Sequence, residues 1–121
     1  MRKIKVMSIG PFSGAERRAL TRLRTLQRGR ICYGQRHAMS FDCVIRNLTA
    51  SGAMLRVPAN QAIPERFTLL HVAAGMAFEA KLSWRRGDDA GAEFLARKDL
   101  RGEVGEDYRA LRNIWAALAP V

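Results

Sequence analysis

From Arg28 onward, apolar and polar positions alternate in short runs. Ile31 and Tyr33 alternate with polar or small residues, and Phe41, Cys43 and Ile45 are set off by Asp42, Val44 and Arg46. Ala53, Leu55 and Val57 follow Gly52, and Phe67-Thr68-Leu69-Leu70 precedes a break at Ala73-Ala74-Gly75. The clearest run is Phe78 to Arg85, where alternation is strict over eight positions. A period of two marks a strand with one buried face. That phase places Trp84, and later Phe94, in the core, and leaves Arg85 and Arg86 facing solvent or the rim. Gly87-Asp88-Asp89-Ala90-Gly91 reads as a hairpin turn and Ala92 to Leu95 as the return strand. Short strands with turn signals roughly every ten residues predict an antiparallel barrel or sandwich.

The period then changes. Val104, Tyr108, Leu111, Trp115 and Leu118 are separated by alternating steps of four and three, with Glu106, Asp107, Arg109, Arg112 and Asn113 on other faces. This predicts an amphipathic helix over 103–119 that ends near Pro120, its stripe laid on the barrel or against a partner helix. Upstream, Ile4 to Ile9 reads as a short strand followed by Gly10-Pro11-Phe12-Ser13-Gly14, a loose leader over 1–15. Residues 16–27 read as a helical turn or an extended basic linker, and 28–96 as the barrel.

Length fits one domain: 121 residues suffice for a single core. No window of about 20 residues is free of charge, so no membrane-spanning helix is expected. Lys5, Gly10 and Pro11 interrupt the apolar N-terminal run, which argues against a secretory signal. A cytoplasmic location is the expectation. Charge changes the picture more. There are 21 Lys and Arg against 11 Asp and Glu, a net of +10. Residues 1–36 hold ten basic side chains against Glu16 alone, or +9, and the remainder is nearly neutral at +1. Such asymmetry points to a polyanionic partner, or to a solvated basic arm.

Catalytic and metal chemistry find no frame. The sequence holds no nucleophile elbow, P-loop or GxGxxG, and Asp88-Asp89 is turn chemistry. Asn47-Leu48-Thr49 matches a glycosylation sequon, discounted because nothing marks a secreted chain. An enzyme is not expected. His37 and His71 lie far apart, and Cys32 and Cys43 form no zinc spacing, so no metal is expected. A symmetric hairpin over 31–45 would set Cys32 opposite Cys43, within reach of a bridge; the simpler reading is two small buried apolar side chains.

Two segments carry candidate binding chemistry. In Glu16-Arg17-Arg18-Ala19-Leu20-Thr21-Arg22, Arg18 and Arg22 stand four apart with Arg17 beside them. Guanidinium groups both fork onto phosphate and stack on bases. In Asn47-Leu48-Thr49-Ala50-Ser51-Gly52, Asn and Thr offer short polar groups suited to a nucleobase edge, and Gly permits close backbone approach.

Arg17-Arg18-x-x-x-Arg22 in a basic arm, then Asn47-x-Thr49-x-x-Gly52 after the second strand, resembles the Arg-Arg-x-x-x-Arg and [Asp/Asn]-x-Ser-x-x-Gly signature of PilZ domains, bacterial receptor modules for cyclic di-GMP. The resemblance covers roughly 15–96 and includes the Trp84-Arg85-Arg86-Gly87 run before the last hairpin. It implies a six-stranded antiparallel β-barrel with a basic N-terminal arm, the C-terminal helix being a common appendage. It also implies roles. Arg17 and Arg18 would contact phosphates and guanine faces, and Arg22 would clamp the ligand from the other side. Asn47 would meet a guanine edge and the backbone, Thr49 would stand in for Ser, and Gly52 would keep the backbone close. The chain departs from the family pattern in its neutral Asn47, the extra methyl of Thr49, and Thr21 where many members carry Pro. The implied function is a cyclic di-GMP receptor whose arm folds onto the barrel and alters contact with an unidentified protein effector. Two other readings remain: a nucleotide-independent adaptor on the same fold, and a non-specific nucleic-acid binder using Tyr33 or Phe41 as stacking groups, against which the separation of aromatics from the basic arm counts.

Overall fold

The structure, a computed structural model, describes residues 26–119. Arg17, Arg18, Arg22 and the leader therefore lie outside the described residues. Six antiparallel strands form a closed barrel: β1 (Gln27–Tyr33), β2 (Met39–Leu48), β3 (Gly52–Arg56), β4 (Arg66–His71), β5 (Met76–Arg86) and β6 (Asp89–Asp99). Around the ring the order is β1-β2-β3-β6-β5-β4, and β4 closes it by pairing with β1. One helix follows, α1 (Glu106–Leu118). The barrel thus runs three residues past the expected limit of 96, to Asp99.

The interior is filled by alternate residues of every strand. Ile31, Cys43, Ile45, Leu55, Phe67, Leu69, Phe78, Ala80 and Ala92 form one buried cluster, with Phe94 stacked on Phe78 at a centroid distance of 4.1 Å. A second cluster lies outside the wall. Cys32, Leu70, Ala77 and Leu100 pack under Leu111 of α1, flanked by Val104, Tyr108, Ile114 and Trp115. The predicted stripe therefore lies on the barrel. Trp115 Nε1 donates to Val72 O at 2.8 Å, and Glu106 and Asp107 complement the dipole at the helix start. Double coverage explains the unbroken burial of Phe67 through His71, since inward and outward residues of β4 are both shielded.

One sequence expectation changes. Trp84 is 43% exposed and does not enter the core. The pairing passes from Leu82↔Ala92 to Trp84↔Gly91, so Ser83 is an extra residue that reverses the phase of the strand. Ala90 and Ala92 point inward, so Trp84 shares the outward face of Gly91. Arg85 is a rim residue, but it is not left to solvent. Its guanidinium donates to Gly87 O (2.9 Å), Gln61 O (2.9 Å), Pro58 O (2.8 Å) and Val57 O (3.3 Å), closing one end of the barrel.

The cysteines are two small buried side chains, as the simpler reading expects, and the facing alternative fails. Cys32 pairs with Ser40 and Cys43 with Gly29, so the hairpin register keeps them apart. The turn at Gly34–Ala38 sets this register, with Gly34, Arg36 and His37 all at positive φ (82°, 56° and 57°). Cys43 occupies the space over Gly29 inside the barrel, whereas Cys32 faces α1 on the other side of the wall. No bridge can form across that wall without unfolding. Burial pushes the Cys32 thiol up to about 11 and, together with Asp42, the Cys43 thiol up to about 12. Both thiols are expected to resist Ellman's reagent at neutral pH in the folded protein and to react fully in guanidinium. Rapid labelling of either native thiol would contradict this placement.

Candidate functional site

The β2–β3 connection is built by its own side chains. Thr49 N donates to Gly52 O at 2.9 Å, and Thr49 Oγ1 accepts from Ser51 N (3.3 Å) and Gly52 N (3.1 Å). Its hydroxyl also donates to Gly52 O at 3.2 Å. β6 braces the loop from beneath, with Phe94 N on Ser51 O at 2.8 Å and Arg97 Nη2 on Ala50 O at 3.2 Å. Gly52 is dictated by close approach. A Cβ there would stand 2.4 Å from Ala92 O, a backbone atom that cannot swing aside.

Asn47, Thr49 and Gly52 are thus brought together at one end of β2 and β3, but with different duties. The Thr49 hydroxyl is committed to the turn, and Gly52 to the β3–β6 contact. Asn47 differs. Arg46 is the extra residue of a bulge between Ile45↔Leu55 and Asn47↔Met54, which brings Asn47 into register with Met54. Its half-buried side chain has no hydrogen-bond partner among the described residues.

Strand register continues this row across the wall: Asn47 beside Met54, Met54 beside Gly91, Gly91 beside Trp84. The indole of Trp84 lies where a Cβ of Gly91 would be, with Nε1 2.1 Å from that position. Glycine at 91 therefore lets a flat aromatic ring lie along the outer wall. One row away, Arg46 and Arg56 share the single carboxylate of Asp89, at 3.3 and 3.8 Å, and exposed Arg86 pairs in register with Asp89. Two guanidinium groups on one carboxylate leave this wall with positive charge to spare. The wall carries an amide, an indole and basic side chains in reach of one another. Its chemistry suits a ligand with a flat heterocycle and an anionic group.

The sequence pointed to Asn47 as a candidate but placed Trp84 in the core, because alternation alone carries no sign of the bulge at Ser83. Arg46 and Arg56 were hidden for a similar reason: neither belongs to a motif, and only the β2-β3-β6 order brings them to Asp89. Tyr33 and Phe41, the suggested stacking groups, meet edge to face at 6.0 Å and pack on the core, so they offer no free platform. Among the described residues no cluster of His, Cys, Asp or Glu is arranged to hold a metal, and no helix is long and apolar enough to cross a membrane.

Comparison with protein-family models finds no match, and comparisons with curated proteins and with solved structures find none either.

The geometry separates the three residues by stability. Gly52→Ala is expected to cost about 2 kcal/mol through overpacking, and Thr49→Ala about 1 kcal/mol through lost turn hydrogen bonds. Asn47→Ala should stay within about 0.5 kcal/mol of the parent. Urea unfolding of the three variants checks the order. A loss for Asn47→Ala as large as that for Gly52→Ala would show that Asn47 is structural.

Proposed function

We propose that this protein is a receptor for cyclic di-GMP, with the outer wall of β2, β3, β6 and β5 as its docking face. The observation that carries the reading is the row Asn47–Met54–Gly91–Trp84, which sets on one surface an exposed indole and an amide with no hydrogen-bond partner among the described residues. A guanine base stacked on Trp84 would gain about 1–3 kcal/mol, and its edge would meet the Asn47 amide. Phosphates would find guanidinium groups, from Arg46 and Arg56 on the wall and from Arg17, Arg18 and Arg22 in the preceding segment.

Chain length supports that last contribution. β1 begins at Gln27, paired with Ile45, two positions before Asn47. Arg22 stands five residues upstream of Gln27 and so has a reach of up to about 17 Å from it. In this reading, ligand binding draws the Arg17–Arg22 segment onto the wall, and the altered surface is what a protein effector reads. The likeness of Arg18-x-x-x-Arg22 and Asn47-x-Thr49-x-x-Gly52 to the PilZ signature, the second at the β2–β3 turn of a six-stranded barrel, supports the same reading. The adaptor alternative loses one of its two docking elements, because α1 already lays its apolar stripe on the barrel.

Isothermal titration with cyclic di-GMP tests the proposal on the full chain, beside Arg18→Ala, Asn47→Ala and Trp84→Ala. The parent is expected to bind saturably. Arg18→Ala and Asn47→Ala should abolish binding, and Trp84→Ala should weaken it about tenfold, the loss of one stacked base. Absence of heat for the parent would overturn the receptor reading and leave the adaptor. Equal binding of a single-stranded oligonucleotide, falling steeply with salt, would replace it with non-specific polyanion binding.

A further inference from the structure

The opposite wall of the barrel carries a second site of different chemistry. α1 covers only part of the β1-β4-β5 face, and beyond its first turns the wall opens into a cleft of about 360 Å³. That volume falls within the range of small-molecule sites, about 300–1,000 Å³. Its floor is core, so the cleft is backed by rigid structure, with Cys32, Phe67 and Leu111 all buried.

Three features converge there, two of them at His37. First, Nδ1 of His37 is buried without a hydrogen-bond partner among the described residues. A buried unpaired ring nitrogen costs free energy, so this ring is held beside the cleft against its own hydrogen-bonding preference. Second, His37 and its neighbour Arg36 hold consecutive left-handed conformations, φ 57° and 56°, in the loop that forms one side of the cleft. Strain of this kind, about 1–3 kcal/mol per residue, persists where the surrounding structure enforces it and concentrates at ligand sites. Third, Thr68 lines the cleft, and its hydroxyl makes no hydrogen bond among the described residues, which leaves it open to a ligand.

The charges around these groups define a ligand. Thr68 pairs in register with Glu79, and Arg66 with Lys81, on adjacent positions of β4 and β5. Arg66, Thr68 and His37 can each donate, which suits a carboxylate. Glu79 accepts from Tyr108 OH at 2.9 Å through one oxygen only, and Asp107 lines the same side, which suits an ammonium. A ligand of a single charge would be attracted by one half and repelled by the other. We propose that this cleft binds a small zwitterion of the amino-acid class, its carboxylate toward Arg66, Thr68 and His37 and its ammonium toward Glu79 and Asp107. The site lies across the barrel from the Asn47–Trp84 row and does not depend on the nucleotide reading.

Proton–nitrogen correlation spectra of the full chain test this, with L-alanine, L-glutamate and L-lysine added singly. Acetate and methylamine serve as the two half-ligands. At least one amino acid is expected to shift the amides of His37, Thr68 and Glu79 saturably, with neither half-ligand matching it. Thr68→Val should weaken that binding about tenfold, the loss of one hydrogen bond to a charged group. His37→Gly should weaken it similarly while raising the thermal midpoint of the free protein, because glycine relieves the left-handed strain that a purely structural histidine would need. If none of the three amino acids moves these resonances, the proposal fails. It fails equally if acetate alone reproduces the shifts, or if both variants bind as the parent does.

Discussion

Everything in this molecule hangs on β4, the strand that closes the ring and is buried on both faces. Its inward residues Phe67 and Leu69 fill the barrel, and its outward Leu70 needs a cover. Pairing with β1 on one side and β5 on the other satisfies its backbone without leaving an open edge. α1 supplies the cover, and Leu111 seals Cys32, Leu70, Ala77 and Leu100 against water. Each large apolar side chain buried there contributes about 1.5–3 kcal/mol. A barrel without the helix would expose a greasy stripe, and a helix without the barrel would have no partner for its own.

Closure also decides where chemistry can appear. With no free edge, ligands must meet the outer wall, and bulges choose which side chains stand on it. The extra residue at Arg46 brings Asn47 into line with Met54, and the extra residue at Ser83 turns Trp84 outward over Gly91. A third irregularity, at Leu95 between Phe94 and Ala96, leaves that leucine 48% exposed beside the opposite cleft. The two candidate surfaces thus lie on opposite walls, one basic and aromatic, the other of mixed charge. Arg85 holds one end of the barrel firm through its carbonyl contacts, so the walls keep fixed geometry.

The strands, the hairpin at Gly87-Asp88 and the helix were legible because each depends on local periodicity and turn chemistry. The stripe Val104–Leu118 needed only helical spacing, and the Asn47–Gly52 turn only its residue types. What periodicity could not reveal was phase and register. Strict alternation through Ser83 predicted an inward Trp84, and one bulge reversed it. The burial of both cysteines was legible, but a symmetric hairpin over 31–45 would have set them face to face, and a turn built on left-handed Arg36 and His37 shifts the pairing. The role of Thr49 was half legible. Its hydroxyl matters as expected for a motif residue, but it holds the turn together. The arginines of the preceding segment lie outside the described residues, and their part is the one the family resemblance implies.

Native-state hydrogen exchange is the most direct test of closure through β4. The account predicts that amides of β1 and β4 at their shared pairing, Ile31, Cys32, Leu69 and Leu70, exchange among the slowest in the protein and open only with global unfolding. Exchange of the β1 and β4 amides at the rate of an exposed edge, while β5 and β6 stay protected, would contradict it and describe an open sheet.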